Sequence, residues 1–298
     1  MLSPYHPFRS DEAKEQYLTL YDMRAKKWPV PSESRMADTS YGETYVRISG
    51  PAAGQPLVLL HGGSGNSLQW IPNIQDLSEH YKTYAVDTIY DYGRSVYTRP
   101  MQSPDDFVRW LDELFTTLEL GNSIRLMGLS YGGWLTSLYA LRFPNRLAKI
   151  ILLAPAFTVL PLRPVWLMRM VLGFLPHRFF ARNFMQWLAE DSMKKNNSTR
   201  MMIEEITDDA FLAIRCFKLR RMVYPTVLND RELQSIKVPA LVLVGENEKL
   251  YSAPKAMQRL TRVAPQIQTE IIPNAGHDLT IVQAELVNSK VIEFLKQP

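Results

Sequence analysis

The chain has 298 residues, 46% apolar and 21% charged, which excludes fibrous and disordered classes and leaves ample sequence to bury a core. Its 34 Lys and Arg against 30 Asp and Glu give a formal charge of +4, too mild over this length to demand nucleic acid or an anionic membrane as partner. A single cysteine, Cys216, excludes an internal disulfide framework and a Cys-rich zinc site; it reads as a small buried apolar side chain and fits a reducing cytoplasm.

The first thirty residues carry charges throughout and hold no apolar run of the secretory kind, so export by that route is not expected. A charged helical lead-in near residues 10–27 precedes residues 35–48, which alternate around Ser40-Tyr41-Gly42 and read as a hairpin. Four short apolar runs follow at residues 57–60, 83–86, 124–127 and 150–153. Each is nearly continuous, as strands buried on both faces of a sheet should be. The pattern resumes at residues 240–244 and 270–272, and the chain closes on a helical stretch over about 281–295. Strands alternating with amphipathic helices predict an α/β fold with a mostly parallel sheet.

Between about residues 155 and 235 that rhythm stops, and Met, Phe, Trp and Leu recur at helical spacings. This reads as an inserted helical unit. It holds twelve Lys or Arg against eight Asp or Glu, so the insertion is basic and the body neutral. Its greasiest stretch, residues 160–176, is interrupted by Arg163, Pro164 and Arg169 and falls short of the ~20 apolar residues of a membrane span. Residues 194–198 (KKNNS) read as a solvated loop.

Run 124–127 leads into Gly128-Leu129-Ser130-Tyr131-Gly132-Gly133 and then into a helical continuation. G-x-S-x-G in a strand, turn, helix context exposes a weakly nucleophilic hydroxyl on a sharp turn, and a side chain at either flanking glycine would clash there. The following helix aims its first amides at the point where negative charge develops. Alone, the motif is also compatible with a glycine-rich turn after a buried strand.

Run 57–60 empties into His61-Gly62-Gly63-Ser64-Gly65. A carbonyl becoming an oxyanion needs two N–H donors within about 3 Å, and glycines permit that approach. Gly63 is the first expected donor and Tyr131, directly after the serine, the second. A nucleotide loop fits poorly, because Leu68 stands where G-x-G-x-x-G needs its last glycine.

A serine mechanism also needs a histidine and a carboxylate to hold its tautomer. Of five histidines, His277 in Pro273-Asn274-Ala275-Gly276-His277 follows a strand on a glycine-hinged loop and is the expected base. His61 is expected to be structural, its ring bonded to loop backbone. Run 240–244 ends in Gly245-Glu246-Asn247-Glu248, which offers two acids; Glu248 is preferred, with Glu246 left for loop packing. Residues 154–156, just after run 150–153, hold no acid.

Taken in order, Leu60-His61-Gly62-Gly63, Asp87 with Gly93-Arg94-Ser95, Gly128-Leu129-Ser130-Tyr131-Gly132-Gly133, Gly245-Glu246-Asn247-Glu248 and Asn274-Ala275-Gly276-His277 resemble the α/β-hydrolase superfamily, and within it short, capped bacterial carboxylesterases. The resemblance implies an α/β-hydrolase core over residues 1–155 and 236–298, with residues 156–235 as a helical cap. It departs from the usual pattern in carrying Glu248 in place of aspartate and in a stretched turn over residues 87–95.

The expected reaction is hydrolysis of a small-molecule carboxylic ester through an acyl-enzyme on Ser130, with neither metal nor organic cofactor. Trp166, Met170 and Trp187, with Met168, Phe174 and Phe179 nearby, offer an apolar lining for small-to-medium hydrophobic substrates, although the insertion's own core also needs such residues. The arginines of the insertion read as a solvated basic face. Rival readings are a proline-releasing peptidase, a thioesterase, a carbon–carbon bond hydrolase and a non-catalytic binding protein of the same fold.

Overall fold

The computed structural model describes residues 6–298 except 174 and 176. Strands β1 (Ser32–Thr39) and β2 (Gly42–Ser49) form the expected hairpin, and β3 (Pro56–Leu60), β4 (Lys82–Val86), β5 (Val96–Tyr97), β6 (Ile124–Leu129), β7 (Leu147–Leu153), β8 (Ala240–Gly245) and β9 (Gln268–Ile272) follow. They make one sheet in the order β1-β2-β4-β3-β6-β7-β8-β9, with the short β5 on β2. Strand β2 pairs antiparallel with both β1 and β4, and β4, β3, β6, β7, β8 and β9 pair parallel with one another in that order. This is the mostly parallel α/β sheet that the run pattern predicts.

Continuous apolar runs work here because each strand feeds two cores. Val58, Leu60, Leu126, Ile150, Leu152, Val242 and Val244 face one side, where Trp110 of the helix Pro104–Thr117 and Trp134 of the helix Tyr131–Arg142 are fully buried. Leu57, Leu59, Met127, Leu129, Ile151, Leu153 and Leu243 face the other, against Val287, Val291 and Phe294 of the helix Ala284–Lys296. Successive side chains point to opposite faces, so both faces of the central strands are apolar apart from the buried Arg125 and Lys149 near their entry ends.

Register then fixes where the strands stop. Leu60 pairs with Gly128, Leu129 with Leu153, Leu153 with Leu243, and Gly245 with Ile272. The loops that leave β3, β6, β7, β8 and β9 therefore emerge along one carboxyl edge, where functional groups gather in open parallel sheets.

The insertion between β7 and β8 is helical, with helices Pro164–Gly173, Arg178–Leu188, Glu190–Lys195 and Asn197–Cys216, and the chain returns through Asp230–Ser235. Residues 194–198 are solvent-exposed as expected but are not a loop. Asn196 alone separates two helices and caps the second, accepting the Thr199 N–H at 2.9 Å. The closing helical stretch is likewise divided, at Gln283, into Leu279–Val282 and Ala284–Lys296.

The lead-in helix Asp11–Ala25 packs against the insertion. Phe8, Tyr17, Tyr21, Cys216 and Phe217 form one buried cluster, and Arg24 reaches both Glu205 (3.2 Å) and Asp209 (3.0 Å). Cys216 is buried and unpaired, and burial pushes its thiol up. No described helix is long and apolar enough to cross a membrane.

Candidate active site

Ser130 joins β6 to the helix Tyr131–Arg142 with φ +52° and ψ −111°, a left-handed-side conformation that L side chains rarely adopt. Three hydrogen bonds hold it there. Its amide donates to Leu153 at 2.9 Å, and its carbonyl accepts from Trp134 at 3.1 Å and Ala156 at 3.0 Å. The turn is tight enough that a Cβ on Gly128 would sit 2.1 Å from the Gly132 carbonyl oxygen, and one on Gly132 would sit 2.3 Å from that of Leu60. A serine before a helix usually bonds its side chain to the first amides, yet Ser130 makes no such cap, so its hydroxyl is not spent on the helix.

The loop after β3 lies beside this turn. Gly62 donates its amide to Gln69 Oε1 at 2.8 Å, and Ser64 donates to Asp91 Oδ2 at 3.0 Å. Between them, a Cβ on Gly63 would meet the Tyr131 Cβ at 3.4 Å, so the two expected donor residues are neighbours. His61 is buried and does what was expected of it. Its Nε2 accepts the Thr88 amide at 3.0 Å, which puts the ring proton on Nδ1, 2.7 Å from the Gly62 carbonyl.

At the far end of the edge, His277 Nδ1 stands 2.9 Å from Glu248 Oε2, and the other oxygen of Glu248 accepts the Leu250 amide at 2.8 Å. Burial opposes a charge on His277, but the carboxylate of Glu248 and its hydrogen bond outweigh burial and raise the imidazole above its ordinary value. Glu246 is exposed and accepts the Asn274 amide at 3.1 Å, holding the loop rather than the ring. Engagement of Nδ1 leaves Nε2 as the nitrogen available to a proton in transit; it makes no hydrogen bond to Ser130 in this structure.

The insertion buttresses the loop that carries His277. Asp278 accepts from Ser192 at 2.8 Å and from Gly276 at 3.2 Å, and Asn247 donates to Asp191 Oδ1 at 3.1 Å. A cavity of about 210 Å³ is lined by Gly63 and Tyr131 together with Ile89, Phe107, Met222 and Val223, among others.

Trp166, Met170 and Trp187 do not line it. Trp166 is half-buried and meets Phe157 edge-on at 6.5 Å, and Trp187 carries the Arg169 guanidinium over its ring at 4.9 Å. Met168 and Phe179 are exposed, and Phe174 lies outside the described residues. The residues that sequence reasoning missed, Ile89, Phe107, Met222 and Val223, come from three separate stretches of the chain, and nothing local marks any of them as lining. Only the fold brings them together.

A serine on a strained turn with glycine-flanked amides beside it, at the carboxyl edge of this sheet, defines a class, and the chain belongs to the α/β-hydrolase fold family, whose sequence profile matches residues 55–284. Within that family it is a carboxylesterase-like hydrolase. It is 33% identical over 298 residues to the carboxylesterase YbfK of Bacillus subtilis, covering 99% of this chain and 98% of that one. A second Bacillus subtilis protein, the uncharacterized carboxylesterase nap, is 34% identical over 290 residues, covering 97% and 94%. The crystal structure of a Bacillus subtilis naproxen esterase superposes with a TM-score of 0.88 at 31% identity, covering 96% of this chain and 99% of that one.

Proposed function

We propose that the protein hydrolyses carboxylic esters of small-to-medium hydrophobic acids or alcohols through an acyl-enzyme on Ser130. His277 Nε2 takes the hydroxyl proton as Ser130 Oγ attacks the ester carbonyl carbon, and the Gly63 and Tyr131 amides hold the resulting oxyanion. Collapse expels the alcohol, which leaves with the proton from His277. Water then attacks the acyl-enzyme with its proton going to His277, and the acid departs as Ser130 recovers its proton. Glu248 keeps the ring tautomer and stabilises the transient imidazolium. The insertion, residues 156–235, acts as the cap.

The single observation that carries this reading is the 2.9 Å contact of His277 with a buried Glu248, on the same sheet edge as a serine whose side chain caps nothing. Hydrophobic substrates are supported by the largely apolar wall of the cavity beside Gly63 and Tyr131. The peptidase alternative is disfavoured by the backbone: proline-releasing enzymes that share this loop usually carry proline where Ser64 stands. The φ of +62° at Ser64 is one that a proline ring cannot adopt. Reaction with a serine-directed fluorophosphonate, followed by a panel of 4-nitrophenyl esters of rising acyl length, tests the reading. Labelling that persists in Ser130→Ala would sink it.

A further inference from the structure

One partly buried ion pair beside the oxyanion loop has no part in the steps above. Arg220 Nη2 lies 2.5 Å from Asp91 Oδ1, with side-chain exposures of 17% and 9%. The same carboxylate accepts the Tyr92 amide at 2.8 Å through Oδ1 and the Ser64 amide at 3.0 Å through Oδ2. Ser64 directly follows Gly63, and its positive φ needs an outside hold to persist. Asp91 thus pins the peptide that leads out of the first proposed donor.

Arg220 arrives on the chain returning from the helix Asn197–Cys216, its guanidinium stacked over the Tyr92 ring at 4.6 Å. Three residues later, the Val223 carbonyl accepts the Tyr131 hydroxyl at 2.9 Å. One short stretch of the insertion's return therefore holds Tyr131 directly and, through Asp91, the peptide that follows Gly63, the two proposed oxyanion donors. It also forms part of the cavity wall.

Charge makes the arrangement consequential. A carboxylate one residue from an oxyanion site opposes the negative charge that develops there, and in a partly desolvated site that opposition is strong. Its reach is visible at Tyr131, whose phenol is raised by burial and further by Asp91, with Arg220 offsetting part of that.

We infer that Arg220 is a positioning residue for ester cleavage: it cancels the charge of Asp91 and holds the Gly63–Ser64 peptide, so that the two amides act on the transition-state anion unopposed. The inference rests on the reading of Gly63 and Tyr131 as oxyanion donors. It also makes the two halves of the pair unequal. Losing Arg220 strands a carboxylate beside the site, whereas Asp91→Asn removes that charge and keeps one oxygen that can accept the Ser64 amide, its NH2 then facing the Tyr92 amide and Arg220.

The test is steady-state hydrolysis of 4-nitrophenyl butyrate by R220A, D91N, R220A/D91N and R220K, with inhibition by a trifluoromethyl ketone that forms a tetrahedral adduct. R220A is expected to lose about 10²-fold in kcat with KM changed less than ~3-fold, a loss comparable to removing one oxyanion donor. D91N should lose at least ~5-fold less than R220A, the double variant should be at least ~5-fold faster than R220A, and R220K should recover most of the rate. Ketone affinity should fall in step with kcat/KM. Equal losses in R220A and D91N, or a double variant slower than R220A, would overturn the inference by making the pair a plain structural tie. If R220A does not fold, R220Q takes its place with the same expectations. Ser130→Ala is assayed alongside. An active Ser130→Ala defeats the reading of the site itself, while an inactive one beside an unimpaired R220A defeats only the role of Arg220.

Discussion

Glu248 spends one carboxylate oxygen on the Leu250 amide at 2.8 Å and the other on His277 Nδ1 at 2.9 Å, so a single buried side chain both locks its own loop and orients the imidazole. Its partner's raised basicity follows directly. The base must be neutral to accept a proton, so kcat/KM is expected to rise with pH through an acidic limb centred above 6.5, the ordinary imidazole value. Glu248→Gln removes the charge that favours the imidazolium; the limb should move to lower pH while the plateau falls by about 10³-fold or more. A parent limb at or below 6.5 counts against the pairing.

Glu246→Gln makes the complementary case. Its exposed carboxylate accepts the Asn274 amide and no other hydrogen bond among the described residues, and the turnover of this variant should stay within about 3-fold of the parent. Damage equal to that of Glu248→Gln would transfer the acid's role to Glu246.

Gly245 is packed against the loop that presents His277. A Cβ there would stand 2.3 Å from the carbonyl oxygens of both Ala275 and Gly276, so Gly245→Ala must push that loop outward. Because misplacing a catalytic group by about 1 Å costs on the order of 10²-fold, hydrolysis should fall by that factor. Single-turnover assays with 4-nitrophenyl acetate read this directly, and a fully active variant would show that the loop tolerates the shift.

The nucleophile turn is expected to be costly to disturb for a separate reason. Gly132→Ala sets a Cβ 2.3 Å from the Leu60 carbonyl oxygen and 2.6 Å from that of His61, backbone on both counts, and should lower stability by about 3 kcal/mol in urea unfolding. Gly121→Ala is the control: at φ +67° with nothing within 4 Å, it meets only backbone strain, about 1 kcal/mol. Similar losses in the two variants would mean that the close approach at Gly132 relaxes freely.

Met222 is exposed and stands on the wall of the cavity beside Gly63 and Tyr131. Met222→Ala is expected to enlarge that space and to move the preference among 4-nitrophenyl esters toward longer acyl chains, by up to about 10-fold in the ratio of kcat/KM values. An unchanged ratio would place the acyl group elsewhere.

Much of this was legible before any coordinates. Unalternating runs such as 57–60 and 150–153 announce strands with two buried faces, and the chain bears this out with Leu57 and Leu59 in one core and Val58 and Leu60 in the other. The structural place of His61 was also readable, because a histidine inside a glycine-rich loop has backbone groups within reach. Exposed polar residues misled: Lys194-Lys195-Asn196-Asn197-Ser198 looks like a loop from composition, but asparagine before a helix supplies a cap, and solvent exposure alone does not distinguish the two. The aromatic residues of the insertion misled differently. Helical spacing shows that Trp166 and Trp187 belong to amphipathic helices, but says nothing about which neighbour their apolar faces meet.

What the sequence determined by itself is local: where strands run, where a serine must turn sharply, and which loops carry glycine, acid and histidine, since each is set by residues a few positions apart. The tertiary structure alone decided what pairs across distance. Strand register brings Glu248 to His277, and the return of the chain from the insertion brings Arg220 to Asp91 and Val223 to Tyr131. Contacts of that kind depend on how separate elements pack, and no periodicity in a linear chain encodes the geometry of packing.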